Sequence, residues 1–290
     1  MDRLTNGILT AEINPKGAEL TSLVLDGIER IWQADPAIWG RHAPLLFPVI
    51  GRLKNQEYEL DGEMVHMPMH GFCRDRMFDT IEKDDTHVRY RTQDDAETKA
   101  VYPFSFTLEI EFELNGSTLI KRHFVTNHSD RQMPFEVGGH EAYATTLLPG
   151  EKMSDYAIAF EGTEHLNPFA MDENGMMGLP KGHIPLEAGL LWQLPKDVGL
   201  DTIVLEELPV RRAALVCPKN GKSVTVEFED FPYLGIWTAD RGVDSNYICI
   251  EPWTTLPDGH FLGRKLTDKP GICILERGEM RELAYRMTFA

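Results

Sequence analysis

Two acid–base residues in distant parts of the chain stand next to apolar or glycine-rich sequence. His140 follows Gly138 and Gly139, and an imidazole both gives and takes a proton near neutral pH, which suits a general acid. Glu251 ends the apolar run 247–250, where desolvation raises the basicity of a carboxylate. The sequence context of these two residues predicts a proton donor and a proton acceptor. The alternative is a structural histidine and a surface glutamate at a strand end.

An arginine and a second histidine lie in one earlier stretch of the chain, which is rich in glycine and proline. Arg52 comes directly after Gly51 and the apolar run 44–50, where an unpaired charge is costly to bury. Its fork of donors suits the oxygens of a polar ligand, or a carboxylate at a strand end. His70 precedes Gly71, which lets the backbone pass close to a neighbour. We interpret this stretch as one wall of a polar cleft, with a structural role for His70 as the alternative.

Trp237 is a further candidate for the same cleft. Strand alternation would place Tyr247, Cys249 and Glu251 together on one face of a strand. A tryptophan facing the same cleft would offer a flat ring for stacking on a sugar, although a place in the core is commoner for this residue.

Composition and missing motifs argue against several classes of function. The 290 residues carry a formal net charge of -17, which disfavours nucleic acid and anionic membranes as partners and is compatible with a neutral small molecule. No phosphate loop, G-x-G-x-x-G fingerprint or G-x-S-x-G elbow occurs, and the 10 histidines form no closed metal set. We therefore expect no metal and no cofactor.

The four cysteines form no C-x-x-C motif, the N-terminus lacks an apolar signal core, and no run reaches the ~18 apolar residues of a membrane span. A cytoplasmic protein with reduced thiols is predicted.

Alternation with a period of two dominates the sequence and predicts antiparallel strands. The clearest runs from Phe104 to Leu114, with one face apolar and the other polar. Further strands are predicted at 10–14, 19–25, 57–60, 63–67, 118–126, 223–229, 233–238, 246–251 and 280–289. We predict an all-β fold, a single large antiparallel β-sandwich with few short helices, forming one domain over residues 1–290. Short helical turns are expected at 37–41 and 256–262, and the acidic stretch Asp84 to Lys99 is expected to be a solvated turn region.

The polar motifs occur in the order seen in a known family. The motifs are Leu46-Phe-Pro with Gly51-Arg52, His70-Gly-Phe with Arg74-Asp75, Gly139-His140, and Ile250-Glu-Pro-Trp253. The ordered set resembles the aldose 1-epimerases, most closely the galactose-mutarotase-like branch of LacX-type bacterial proteins. The likeness covers most of the chain, and the set is more specific than any one motif.

This resemblance implies a galactose mutarotase-like supersandwich with a sugar site in an open cleft. The family interconverts the α and β anomers of a free aldose without a cofactor. By motif match, Glu251 takes the general-base place and His140 the general-acid place, while Arg52, His70 and Asp201 match sugar-contacting residues. The implied partner is a small-molecule aldose, a hexose such as galactose or glucose. Its phosphorylation, and the choice between monomer and homodimer, stay open.

The implied chemistry makes a geometric demand. Opening a pyranose ring requires removal of a proton from the C1 hydroxyl and delivery of one to the ring oxygen, so two groups of opposite role are needed. We therefore expect Glu251 and His140 on opposite sides of one sugar, several ångströms apart. The chain departs from the family where Cys73 replaces the usual alanine and where Glu141 follows the histidine. This extra acid is expected to raise the pKa of His140 or to alter the substrate.

Two other functions stay open from the sequence. A non-catalytic carbohydrate-binding or sugar-sensing protein would use the same scaffold, and the altered surroundings of His140 favour it. A glycoside hydrolase would pair Glu251 with a second carboxylate, Asp201 or Asp258, at about 5–10 Å. Spare basic residues that would bind a phosphate, or simply lie exposed, are Arg74, Arg76 and Lys54.

Overall fold

The fold is seen in a computed structural model, which describes residues 1–172, 174–180, 183–191, 202–239 and 246–290. These residues form 25 β-strands, numbered in chain order: Asp2–Thr5 (β1), Leu9–Asn14 (β2), Glu19–Leu25 (β3), Ile28–Glu29 (β4), Glu57–Leu60 (β5), Glu63–His66 (β6), Asp79–Lys83 (β7), His87–Gln93 (β8), Phe106–Asn115 (β9), Thr118–Asn127 (β10), Met133–Phe135 (β11), Glu141–Ala144 (β12), Ala157–Phe160 (β13), His165–Leu166 (β14), Phe169–Met171 (β15), Met177–Pro180 (β16), Ile184–Pro185 (β17), Leu190–Leu191 (β18), Thr202–Glu206 (β19), Arg212–Val216 (β20), Ser223–Glu227 (β21), Tyr233–Trp237 (β22), Tyr247–Trp253 (β23), Cys273–Leu275 (β24) and Met280–Phe289 (β25).

Helical structure is scarce in the same residues. One α-helix spans Ala96–Val101 (α1), and the 3-10 helices are Lys54–Gln56, Cys73–Asp75, Met153–Asp155 and Leu266–Asp268. No helix in the described part of the chain is long and apolar enough to cross a lipid bilayer.

Two large antiparallel sheets form the body of the fold. The larger has nine strands in the order β18-β13-β20-β21-β25-β10-β9-β8-β7, and the smaller has six in the order β12-β23-β22-β19-β15-β16. A four-stranded sheet, β1-β2-β3-β4, and three two-stranded sheets, β5-β6, β11-β24 and β14-β17, complete the described strands. The prediction of an all-β fold built from antiparallel sheets is confirmed.

The inner faces of the two large sheets share one apolar core. Strand β9 contributes every second side chain, and strands β22 and β23 contribute theirs from the opposite sheet: Phe106, Leu108, Ile110, Phe112, Leu234, Ile236, Ile248 and Ile250. All are buried. Burial of one such side chain is worth about 1.5–3 kcal/mol, so the alternating pattern read from the sequence also supplies the energy that holds the sheets together.

The acidic segment after β7 corrects one sequence-based expectation. Asp84 to Lys99 is not a turn region, because it contains all of β8 and the first four residues of α1. Strand β8 buries Val88, Tyr90 and Thr92 on one face, while its arginines line the outer face. The Asp95 side chain accepts a hydrogen bond from the backbone of Thr98 and so caps α1. Charges on the outer face concealed the strand pattern.

The expected helical turns are absent as helices. Residues 37–41 and 256–262 contain turns and extended backbone. The Trp39 backbone N–H donates to the Asp35 carbonyl at 2.8 Å, which is a single turn that does not continue. This turn nevertheless places Trp39 in the site described next.

Candidate active site

The pairing of β12 with β23 brings the two acid–base residues together. Glu141 is opposite Ile250 and Ala142 is opposite Cys249, so His140, one residue before β12, lies beside Glu251. The imidazole Nε2 is 3.4 Å from Glu251 Oε2. The expectation that these two groups stand several ångströms apart on opposite sides of a sugar is wrong. Adjacent strands place them next to each other on one face of the six-stranded sheet.

Both groups are shielded from solvent. His140 is 7% exposed and Glu251 is 1% exposed. Burial lowers the pKa of His140 to about 3, and burial followed by the charge of Glu141 raises the pKa of Glu251 well above its usual range. The free site therefore favours the uncharged form of each residue.

Glu141 does not act on His140 as expected. It lies on the opposite face of β12, in the core, where Lys121 Nζ and Tyr285 Oη both donate to its Oε1 at 2.7 and 2.6 Å. The expectation that this acid raises the pKa of His140 is wrong, because strand alternation turns the two side chains to opposite faces. The charge of Glu141 raises the pKa of Glu251 instead.

The glycine before His140 packs against the core rather than against a ligand. A Cβ at Gly139 would lie 2.1 Å from Tyr285 Oη and 2.5 Å from Glu141 Oε2. The Gly139 backbone N–H donates to the Pro252 carbonyl at 3.1 Å. This close approach holds the backbone, and with it the imidazole, in a defined position.

Aromatic rings enclose the imidazole. The Trp39 ring stacks on His140 with centroids 5.1 Å apart, and the Trp237 ring meets His140 edge-on at 5.6 Å. Trp237 is opposite Cys249 in the register of β22 and β23, which confirms that it shares the face of Glu251. Trp39 was missed by the sequence analysis, since it belongs to no strand pattern and only the fold carries it to the site. The two indoles keep water from the imidazole on two sides.

His70 completes the cluster from the opposite wall. Its ring lies 5.6 Å from the ring of His140. Its Nδ1 accepts a hydrogen bond from the Gly51 backbone at 3.1 Å, which leaves the proton on Nε2. Desolvation, together with the charges of nearby arginines, lowers its pKa well below the usual value. His70 is thus a neutral donor, held by the glycine that precedes Arg52.

The other two residues predicted from the sequence are Arg52 and Asp201. Arg52 is exposed, and its guanidinium makes one described contact, from Nη2 to Met69 Sδ at 3.8 Å. Its charge still reaches His70, whose pKa it helps to lower. Asp201 lies outside the described residues.

The site also contains three atoms of the kinds that bind metals. Ligand atoms of His140, Cys249 and Glu251 lie within 4.8 Å of one another. Burial raises the pKa of the Cys249 thiol well above its usual value, so a metal would have to displace a firmly held proton before this sulfur could bind it. A neutral imidazole beside a protonated carboxyl is better suited to moving protons.

Comparisons with known proteins agree with this geometry. The family profile described as aldose 1-epimerase matches residues 3–285. The plasmid-encoded protein LacX of Lactococcus lactis subsp. lactis is 33% identical over 282 residues, which cover 93% of this chain and 92% of LacX.

Solved structures resemble the whole chain. A galactose mutarotase related enzyme from Lactobacillus acidophilus superposes with a TM-score of 0.92 at 30% identity, covering 100% of this chain and 97% of that one. A galactose mutarotase-like protein from Lactobacillus casei gives a TM-score of 0.90 at 31% identity, covering 100% of both chains. With its antiparallel sheets and its buried histidine–glutamate pair, the chain belongs to the aldose 1-epimerase family and is a carbohydrate epimerase.

Proposed function

We propose that the protein interconverts the α and β anomers of a hexose by opening and closing the sugar ring, with Glu251 as general base and His140 as general acid. The observation that carries the proposal is the 3.4 Å separation of His140 Nε2 and Glu251 Oε2 in a site shielded from water. A proton donor and a proton acceptor at this spacing can serve two oxygens bonded to the same carbon, as the ring oxygen and the C1 hydroxyl are.

The proton count of the pair suits a reversible reaction. With the closed sugar, Glu251 is a carboxylate and His140 an imidazolium. Glu251 takes the proton of the C1 hydroxyl, His140 gives a proton to the ring oxygen, and the bond between C1 and the ring oxygen breaks to leave an aldehyde. The pair is then neutral and holds the same number of protons as before. Rotation of the aldehyde and the reverse transfers close the ring to the other anomer.

Burial sets the balance between these two states. It lowers the pKa of His140 and raises that of Glu251, which favours the neutral pair that accompanies the open chain. The attraction between the two charges at 3.4 Å, and hydrogen bonds from the hydroxyls of a bound sugar, offset this cost in the closed state. Neither state is then so stable that the reaction stops there.

Neighbouring donors are placed to hold the sugar. His70 offers its Nε2 proton from the wall facing His140, and Arg52 extends a fork of donors from the following turn. Trp237 presents a partly exposed ring beside the same pair. Fixing the hydroxyls in this way turns proton transfer into a reaction within one complex, which lowers its entropic cost.

The hydrolase alternative loses one of its two candidate partners. Both oxygens of Asp258 already accept backbone hydrogen bonds, from Lys54 at 2.8 Å and from Gly259 at 2.9 Å. This arrangement supports a structural role for Asp258 in holding the loop next to Arg52.

Polarimetry on freshly dissolved α-glucose and α-galactose tests the proposal. We expect the rotation to reach equilibrium faster with the protein than without it. Equilibration at the spontaneous rate with every common aldose would contradict an epimerase acting on anomers. Sugar binding by calorimetry with unchanged anomer exchange would identify a sugar-binding protein instead.

A further inference from the structure

A buried ion pair outside the acid–base cluster lies behind the wall that carries His70. Glu136, directly after β11, has no exposed surface, and Lys269, directly after the 3-10 helix 266–268, is 4% exposed. Lys269 Nζ lies 2.7 Å from Glu136 Oε1. The proton transfers described above use neither residue.

Stability alone does not explain this pair. Taking two charges out of water costs free energy that their attraction rarely exceeds, and apolar side chains of similar volume are often as stable or more so. Burial raises the pKa of Glu136, and the ammonium of Lys269 opposes this rise, so the lysine favours the charged carboxylate. A carboxylate in this position therefore needs another explanation.

The second oxygen of the carboxylate holds the backbone of the wall. Glu136 Oε2 accepts a hydrogen bond from the Ile50 backbone N–H at 2.6 Å, a short distance that a charged acceptor favours. The next residue is Gly51, whose N–H donates to His70 Nδ1 at 3.1 Å and whose carbonyl accepts from the His70 backbone N–H at 2.8 Å. Gly51 thus holds both the ring and the backbone of His70, and Glu136 fixes the peptide from which it does so.

His70 requires such support. Its φ is 63°, in the left-handed region that a residue with a Cβ adopts only at a cost. The hydrogen bond from Gly51 also decides its tautomer, since an accepting Nδ1 leaves the proton on Nε2. A shift of the Ile50–Gly51 peptide would release the backbone and the ring together.

Glu136 also connects this wall with the segment that leads to His140. Its backbone N–H donates to the Pro48 carbonyl at 2.9 Å, so the segment that continues to His140 runs beside the one that carries Ile50. The rings of His70 and His140 lie 5.6 Å apart across the site. One buried carboxylate therefore sits where the two histidine-bearing segments are joined.

We propose that Glu136, with Lys269 beside it, is a positioning residue of the candidate active site, which holds the Ile50–Gly51 peptide that orients the His70 imidazole towards the sugar. The inference rests on the proposed function, in which His70 offers its Nε2 proton to the substrate. Glu136 contacts no atom of the sugar and acts through His70.

Two double variants that differ only in the acceptor at position 136 test the inference. Glu136→Gln with Lys269→Met (the glutamine pair) keeps an acceptor for the Ile50 N–H, and Glu136→Met with Lys269→Met (the methionine pair) removes it. Neither leaves a charge buried here. We expect kcat/KM for anomer exchange, measured by saturation-transfer NMR with the most active aldose, to be at least about tenfold lower in the methionine pair than in the glutamine pair.

His70→Asn shows whether the effect passes through His70. In the His70→Asn background the two pairs should differ by less than about twofold in kcat/KM, because the group that Glu136 positions is gone. Equal kcat/KM of the two pairs, or the same tenfold difference in the His70→Asn background, would overturn the inference and leave the proposed function standing.

The ring nitrogens of His70 give a readout that does not depend on activity. Multiple-bond ¹⁵N–¹H NMR at pH 7, assigned with His70→Asn, distinguishes a neutral ring protonated on Nε2 from the other tautomer. We expect the Nε2 tautomer in the unaltered protein and in the glutamine pair, and a mixture of tautomers in the methionine pair. If no sugar shows enzyme-dependent exchange, the proposed function fails and this spectrum decides the inference alone. The same single tautomer in both pairs would overturn it.

Val226→Ala controls for a general loss of stability. Val226 is buried in β21, in the nine-stranded sheet, so this variant should unfold at lower temperature and keep both kcat/KM and the His70 spectrum. Loss of either in Val226→Ala would show that destabilisation alone produces the effect, and would overturn the inference.

Hydrogen exchange decides the inference if the methionine pair does not fold. An amide is a weaker acceptor than a carboxylate, so in the glutamine pair the Gly51 amide should exchange at least about fivefold faster than in the unaltered protein, relative to the amides of β9. Unchanged relative exchange would contradict a role of Glu136 in holding this peptide.

Discussion

A lysine and a glutamate meet inside the sandwich core, directly beneath the candidate active site. Lys121 Nζ in β10 lies 2.7 Å from Glu141 Oε1 in β12, and neither side chain is exposed. Tyr285 Oη donates to the same oxygen at 2.6 Å. Because β10 and β12 belong to different sheets, this ion pair links the two halves of the sandwich.

Breaking this pair from either side should strongly destabilise the fold. We predict that Lys121→Met and Glu141→Gln each lower the free energy of unfolding by about 3–5 kcal/mol, because each leaves a single charge buried without its partner. Glutamine keeps the shape of glutamate and an acceptor for Tyr285. The double variant buries no charge here, so its loss should be smaller than the sum of the two by at least about 2 kcal/mol.

Urea unfolding at pH 7, followed by tryptophan fluorescence, measures these free energies from midpoint and slope. Lys219→Met is the control, since Lys219 forms a 2.6 Å bond to Asp155 with its side chain 67% exposed. Exposed pairs are worth about 0–1 kcal/mol. If Lys121→Met costs no more than Lys219→Met, or if the two core substitutions add, burial does not set the strength of this pair and the reasoning is refuted.

Glu141→Gln should also change the pH dependence of catalysis. The charge of Glu141 raises the pKa of Glu251, second only to desolvation. In Glu141→Gln the carboxyl of Glu251 should therefore ionise at lower pH. Because the free pair keeps its proton on Glu251 rather than on His140, loss of that proton sets the alkaline limb of the kcat/KM profile, and this limb should move to lower pH. A limb that stays in place would show that the charge does not act across the sheet.

Three more outcomes are expected elsewhere in the chain. Glu251→Gln and His140→Asn should each lower kcat by about 10²-fold or more with the fold kept, as polarimetry and circular dichroism can check; full activity in either would move that role to another residue. Burial lowers the pKa of His123 to about 3, so its contribution to stability is complete above pH 6.5 and falls as the pH drops towards 3. When the pH is lowered from 6.5 to 5, the free energy of unfolding should therefore fall by about 2 kcal/mol less in His123→Gln than in the unaltered protein. Equal acid sensitivity of the two proteins would contradict this. Gly139→Ala should cost at least about 1–3 kcal/mol, since its Cβ would lie 2.1 Å from a core hydroxyl, whereas Gly40→Ala meets only ordinary contacts of 3.7 Å or more; equal melting temperatures of the two variants would refute the packing argument.

Local sequence determined the strands and the face that each residue occupies. Side chains alternate in a strand, so the run of apolar residues in β9 and the common face of Cys249 and Glu251 could be predicted from periodicity alone. Strands β3 and β25 have the predicted bounds. The identities of His140, Glu251, Arg52 and His70 as candidates followed from residue type and order.

Tertiary structure decided what these residues touch. The 3.4 Å approach of His140 to Glu251 depends on the pairing of β12 with β23, two strands about 100 residues apart, and no local pattern specifies which distant strands become neighbours. The stacking of Trp39 and the pairing of Glu141 with Lys121 depend on the same long-range contacts. Alternation tells which way a side chain points, whereas the partner it meets is set by the packing of one sheet on another.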